Sequence, residues 1–224
     1  MTKAIIIFGS GYHSKVILSE IIRAKKYKVI GFIDEKLKPG TIVKVIKNKK
    51  YKVLTNIKGL GKKLNKNIYG VIGIGENFIR KKVYLQVKQN IKKFKWATIV
   101  SKNAVIDKEV KIGEGTVIIS SVTINTGTKL GKHCLINTSS SIDHDNYFDN
   151  FSSCGPGAVT GGNVILGECS HIGIGSTIKH NIKIGKNTVV GGKSLVIKNC
   201  DNNSVYFGLP SKKISTRKHN QKYL

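Results

Sequence analysis

Acidic residues are scarce in this chain: 12 Asp and Glu stand against 39 Lys and Arg in 224 residues, for a formal net charge of +27. Proline occurs only 3 times, and Met and Trp once each. Few prolines, 24 glycines and 40% hydrophobic residues exclude a disordered composition and describe a globular chain able to bury a core. No apolar run approaches the ~18 residues of a membrane span, since Ile5-Ile6-Ile7-Phe8 stops at Gly9. The opening Met1-Thr2-Lys3-Ala4 shows no signal-peptide core, so a cytoplasmic location is expected. The four cysteines (Cys134, Cys154, Cys169 and Cys200) have no CxxC spacing and no metal-ligand partners at regular offsets. Buried, reduced thiols are expected, with no metal site.

The shortage of acid raises the question of polyanion binding. The excess is mostly lysine, scattered from Lys3 to Lys222, and only Arg23 and Arg80 precede the tail. No basic stripe interleaved with aromatics accompanies it. A solvated lysine surface, hospitable to phosphate-rich small molecules, is expected in place of a nucleic-acid interface.

A six-residue period organises the second half. Starting at Val100 and ending at Val196, 17 consecutive hexads carry Ile, Leu or Val at the same position in 14 cases. The chain holds 63 such residues in 224, so chance would give about 5. Gly follows this column at 113, 131, 155, 161, 167, 173, 185 and 191, with Asp or Asn at several others. These types tolerate tight turns. A further column is mostly small, as at Ala104, Thr116, Ser140, Ser152, Ser176 and Ser194. One large and one small inward position per short strand describes a triangular prism, three hexads to a coil. Other repeat classes such as ankyrin and leucine-rich repeats have periods of about 20 or more. The columns break between Phe148 and Thr160, directly after His144, and local departures of this kind mark functional places.

The first 94 residues show no hexads. Ala4–Phe8 predicts a buried strand, Gly9–Ser14 a glycine turn, and Lys15–Lys26 an amphipathic helix. Strands over Lys28–Ile33 and Ile68–Ile74 and a helix over Phe78–Ile91 complete a β-α-β arrangement, whose loops at the carboxyl ends of parallel strands suit a nucleotide. The turn matches only two of the three glycines of a dinucleotide fingerprint, with Ser14 in the third place, so a single nucleotide fits better than NAD. Asp34-Glu35 at the end of the second strand could accept hydrogen bonds from a ribose or base, or could simply be a solvated strand end.

The hexads resemble those of hexapeptide-repeat acyltransferases, which implies a left-handed coil, a trimer, and acyl-CoA bound between neighbouring prisms. The whole is more specific. Phe8-Gly9-Ser10-Gly11-Tyr12-His13-Ser14-Lys15-Val16, Gly73-Ile74-Gly75-Glu76-Asn77-Phe78, Ile136-Asn137 through His144-Asp145, Gly155-Pro156-Gly157 and Phe207-Gly208-Leu209-Pro210-Ser211-Lys212 carry a second likeness. Through them the chain resembles, over nearly all its length, the sugar acetyltransferases grouped with sialic acid O-acetyltransferase. That group includes the N-acetyltransferases of bacillosamine-type UDP-4-amino-4,6-dideoxy sugars and of GDP-perosamine.

The resemblance implies a Rossmann-like α/β domain (1–94), a left-handed parallel β-helix (95–201) and a C-terminal extension (202–224). It implies acetyl-CoA as co-substrate and a nucleotide-linked amino sugar, UDP-linked by preference, as acceptor. Gly11, Tyr12, His13, Asp34, Glu35 and Gly75 would hold the nucleotide sugar, and Asn137 would help to position it. His144 would be the catalytic base with Asp145 raising its basicity, and Gly162, Ile174, Gly192 and Ser153 would meet acetyl-CoA. Ser153 stands where many relatives carry a second histidine, Ser101-Lys102 where they have His-Pro, and Tyr12 where they have a small residue.

The chemistry suits these residues. Acetyl transfer requires a proton to leave the nucleophile, a task for which histidine is matched near neutral pH. His144 is the third residue of its hexad and should face outward, beside an acid. His133, His171, His180 and His219 lack that setting and are expected to be structural or solvated. Two other readings stand beside the N-acetyltransferase: an O-acetyltransferase of sialic or a related nonulosonic acid, and a nucleotide- or polyanion-binding module with an inert coil.

Overall fold

In the computed structural model, residues 2–63, 68–218 and 220–223 are described. The N-terminal part holds β1 (Lys3–Phe8), α1 (Tyr12–Ala24), β2 (Tyr27–Ile33), β3 (Ile42–Ile46), β4 (Lys49–Thr55), α2 (Ile57–Lys63), β5 (Ile68–Ile72), α3 (Asn77–Asn90) and β6 (Lys95–Trp96). They form one six-stranded sheet in the order β3-β4-β2-β1-β5-β6. Only the β3–β4 pair is antiparallel. The apolar run of β1 reflects burial on both faces: Ile5 and Ile7 join the cluster that includes α1, while Ile6 and Phe8 join the one that includes Val87 of α3. Each such side chain contributes about 1.5–3 kcal/mol when fully buried. Helix α1 starts at Tyr12, three residues before the predicted start, which places Tyr12 and His13 in its first turn.

Chain order reverses across β1, with β2 on one side and β5 on the other. The loops Gly9–Gly11 and Gly73–Glu76 thus meet at a switch point, where the carboxyl ends of parallel strands open a crevice.

Every one of the 17 hexads forms a two-residue strand, and each pairs in parallel with the strand one coil away. Three sheets result, giving the left-handed parallel β-helix expected from the repeat. The first face includes Leu135–Ile136, Ser153–Cys154, His171–Ile172 and Val189–Val190; the second, Ser141–Ile142 and Val159–Thr160; the third, Tyr147–Phe148 and Ile165–Leu166. The aliphatic column, including Ile118, Ile136, Ile142, Leu166 and Val190, fills the prism together with Phe148 and Cys154. The small column has a second use besides space. The hydroxyls of Thr116, Thr128, Ser140, Ser170 and Ser176 donate to the carbonyls of Gly131, Asp143, Gly155, Gly185 and Gly191, 2.6–3.0 Å away in the next coil. Buried turn carbonyls are satisfied in this way.

The N-terminal domain sits on the first face, where Ile99, Val117, Ile119 and Leu135 pack against Ile17, Leu18 and Ile21. The Ser120 hydroxyl donates to Glu20 Oε1 at 2.7 Å and accepts from Arg23 at 2.9 Å. All four cysteines are free and buried.

Candidate active site

His144 lies in the turn between the second and third faces. Its Nδ1 is 2.9 Å from Asp145 Oδ2, and both side chains are about half exposed. The Asp145 backbone adopts the left-handed conformation (φ 55), which Asp tolerates better than most residues. Glycines make room for the pair. A β-carbon on Gly127, one coil earlier, would lie 2.1 Å from Asp145 Oδ1; one on Gly162, one coil later, would lie 2.4 Å from His144 Nε2. The hydrogen bond from Asp145, reinforced by the charge of Asp143, raises the pKa of His144. With Nδ1–H donated to Asp145, Nε2 is left as the acceptor for a substrate proton.

A second assembly forms where the N-terminal domain meets the first face. Arg80 on α3 is fully buried, and every guanidinium nitrogen is engaged. Nε donates to His133 O at 2.8 Å, Nη1 to Ile74 O and Gly75 O at 3.0 and 2.8 Å, and Nη2 to Asn77 Oδ1 at 2.6 Å and Phe151 O at 3.0 Å. A buried cation is tolerated only when so completely paired. Asn77 Nδ2 adds a bond to Ser170 O at 2.9 Å. The loop after β5 is thereby fixed to three successive coils.

Beside this junction lies a cleft of about 430 Å³. It brings together six residues singled out in the sequence, namely His13, Gly75, Asn137, Ser153, Ile174 and Gly192, along with His171 and Tyr223. His13 Nε2 is buried with no hydrogen-bond partner in the protein. Burial, and next the charge of Arg80, lower the His13 pKa to about 4, so the ring is neutral. His171 is lowered to about 3 by burial, Arg80 and Arg217, and its Nδ1 lies 2.8 Å from Ser153 Oγ. Burial raises the thiol of Cys154 beyond the physiological range, so it is no nucleophile.

The remaining sequence candidates lie elsewhere. Gly162 belongs to the His144 corner and not to the cleft, as do His144 and Asp145. Gly11 caps α1, and Tyr12 projects from its first turn, 89% exposed. Asp34 and Glu35 line a separate hollow of about 400 Å³ with Phe8, Gly9, Ile74 and Lys82. Both carboxylates already have backbone partners. Asp34 accepts from Ser10 N (3.0 Å), Ser10 Oγ (2.5 Å), Lys36 N (2.8 Å) and Leu37 N (3.1 Å). Although burial opposes ionisation, these bonds hold its pKa below the usual value. Glu35 accepts from Ile57 N at the start of α2. The acidic pair therefore shapes the hollow, fixing the glycine turn and α2, with little acceptor capacity of Asp34 left over.

Among the other histidines, His180 is exposed, and His219 lies outside the described residues. His133 points out of the prism yet is fully buried, stacked on Phe151 at 5.3 Å under Tyr84 and Trp96. Its role is structural, as expected. His171 is better placed than the sequence suggests. Its column position gave no sign of the cleft, which forms where His13, Gly75 and Tyr223 come over the first face.

Residues 4–87 match the family model described as the PglD N-terminal domain. The N-terminal domain and the coil together also match solved structures over nearly their whole length. PerB from Caulobacter crescentus, solved with CoA and GDP-perosamine, superposes with a TM-score of 0.84 at 23% identity, covering 96% of this chain and 99% of that one. The acetyltransferase domain of PglB from Neisseria gonorrhoeae, solved with acetyl coenzyme A, gives 0.86 at 21% identity, covering 96% and 100%. WeeI from Acinetobacter baumannii gives 0.83 at 24%, covering 94% and 99%. At these identities the likeness establishes a common fold. It agrees with the sugar-acetyltransferase resemblance carried by the sequence motifs.

Proposed function

We propose that this protein is an acetyl-CoA-dependent N-acetyltransferase acting on a nucleotide-linked 4-amino-4,6-dideoxy sugar, UDP-linked by preference, with His144 as general base. The observation that carries the reading is the His144–Asp145 pair, outward-facing and given space by Gly127 and Gly162. Nothing in the packing of the prism needs that pair. The PglD-type domain, and the complexes in which PerB and the PglB domain were solved, support the choice of ligands.

In the proposed reaction the sugar amine attacks the thioester carbonyl, and His144 Nε2 takes a proton from the nitrogen. The C–S bond breaks as the tetrahedral centre collapses, and the imidazolium returns the proton to the departing thiolate of CoA. Asp145 holds the ring in the required tautomer and stabilises the imidazolium. The acceptor's nucleotide is placed at the switch-point loops and its sugar at His13, Gly75 and Asn137. Ile174, Gly192 and Ser153 are placed along the acetyl-CoA path.

In one chain, His144 stands at the edge between the second and third faces, while the cleft runs along the first face to the edge at Ile174 and Gly192. The proposed assembly is therefore a homotrimer in which one copy's His144 edge meets another's cleft. Exposed Val159, Ile165 and Ile174 give such a contact its apolar surface. The deciding test is release of CoA thiol with UDP-, GDP- and dTDP-linked 4-amino sugars and with free sialic acid. Turnover with a nucleotide amino sugar supports the proposal. A higher kcat/KM for free sialic acid replaces it with O-acetylation of a sugar acid.

A further inference from the structure

The C-terminal tail returns to the cleft. Tyr223 lies 147 residues from Glu76 in sequence, yet its backbone N–H donates to Glu76 Oε1 at 2.7 Å. Its ring stacks on His171 with centroids 4.5 Å apart at 27°, and the Arg217 guanidinium lies 5.0 Å from the ring centre. Its hydroxyl accepts from Asn77 N at 3.2 Å. The nearest acceptors for its own proton are Gly75 O and Ser153 Oγ, both at 3.4 Å.

Two features set this contact apart from simple packing. The hydroxyl donates only over a long distance, to Gly75 O at 3.4 Å, beyond the usual 2.5–3.0 Å of an O–H···O bond. Nearby in the same cleft, His13 Nε2 is buried with no partner at all. An unpartnered polar atom such as His13 Nε2 is costly in an empty protein, and because it lines an open cleft a ligand can complete it. Burial also drives the Tyr223 pKa up to about 12, so the phenol stays protonated and remains a donor.

We propose that Tyr223 is a specificity-determining residue of the acceptor end of the cleft, its hydroxyl donating a hydrogen bond to an oxygen of the bound nucleotide sugar. This rests on the acetyltransferase reading given above. We place the hydroxyl at the acceptor end because two of its neighbours, Gly75 O and the Asn77 N–H that opens α3, belong to the N-terminal domain, while Ser153 on its other side marks the border with the acetyl-CoA path. The stacked His171 and the Ser153 hydroxyl behind it keep the phenol from swinging out of the cleft. An acceptor is thus met from three directions: by the first turn of α1, by the loop after β5, and by the tail.

The test compares Tyr223→Phe and Tyr223→Ala with the wild type in steady-state kinetics and in ligand-induced thermal stabilisation by UDP, by GDP and by CoA, each added alone. Tyr223→Phe keeps the stack and removes the hydroxyl, both as a donor and as the acceptor of the Asn77 N–H. The expected result is an acceptor KM raised about five- to tenfold with an acetyl-CoA KM within about twofold, and a melting temperature without ligand lowered by at most a few degrees for the lost Asn77 bond. Tyr223→Ala should add a fall in kcat. The proposal is overturned if Tyr223→Phe keeps the wild-type acceptor KM, or if the acetyl-CoA KM rises instead. Should the wild type acetylate none of the sugars, the functional reading fails separately. Tyr223 is then judged by stabilisation alone: loss of the nucleotide-induced shift in Tyr223→Phe supports its place in the cleft, and an undiminished shift refutes it.

Discussion

His144 rests on Gly162: the imidazole Nε2 occupies the space where a β-carbon at position 162 would sit, 2.4 Å away. The proposed base is therefore aimed by the absence of a side chain one coil later. Gly162→Ala should displace the ring and cost little stability, since the far end of a side chain can move aside. Misplacing a catalytic group by about 1 Å can cost ~10²-fold, so kcat should fall at least about tenfold with the melting temperature nearly unchanged. His144→Ala should lose about 10²–10⁴ of kcat while CoA still binds. A drop of less than tenfold in His144→Ala would show that another base acts.

Asp145→Asn tests how the base is tuned. The carboxylate raises the His144 pKa, and a general base works only when deprotonated. Removing the charge should therefore move the acid limb of the kcat/KM profile to lower pH, with a reduced plateau from the weaker base. An acid limb that stays in place would refute the tuning role.

Acid should destabilise the fold through three buried histidines. Those at 13, 133 and 171 have folded pKa values of about 4, 3 and 3, all below the unfolded value of 6.5. Below pH 6.5 the unfolded chain takes up protons that the folded chain refuses, so stability is complete above that pH and lost as pH falls toward 4. Each histidine contributes a slope of up to ~1.4 kcal/mol per pH unit. His133→Phe preserves the aromatic stack and should flatten the slope by about a third in urea melts between pH 6.5 and 4.5. An unaltered slope would mean that the transition is governed by carboxylates.

A shared site makes a statistical prediction. His144→Ala and Gly192→Trp should each be inactive, one lacking the base and the other with a blocked cleft. If the two lesions fall in different copies, subunits unfolded and refolded together should regain about a quarter of wild-type activity. No recovery would place base and cleft in the same chain.

What the sequence made legible follows from how local each feature is. The hexads specify strand, turn and inward face within six residues, and all 17 became strands. The β-α-β unit was equally plain, although the β3–β4 hairpin, whose exposed lysines obscure alternation, was not recognised. The His144 corner was legible because its partners lie beside it or one coil away. Arg80, Asn77 and Tyr223 were not, because their roles depend on α3 and the tail docking against carbonyls 53 to 148 residues distant. Asp34 and Glu35 were placed correctly at a strand end, but the backbone N–H groups they hold arise only once the loops have folded.

Sequence separation also sets an order of assembly. Each coil strand pairs with one 18 residues away, as Val117 does with Ile99 and Leu135. Winding can therefore proceed by a series of equal, inexpensive closures, every coil templating the next. The contact between Tyr223 and Glu76 spans 147 residues, a closure costing about 2 kcal/mol more than an 18-residue one in a flexible chain. That tether can form only on a coil already wound, and as a terminal segment it can open without unwinding the coil. Amide exchange should accordingly find Tyr223 opening on its own while the coil beneath it stays closed.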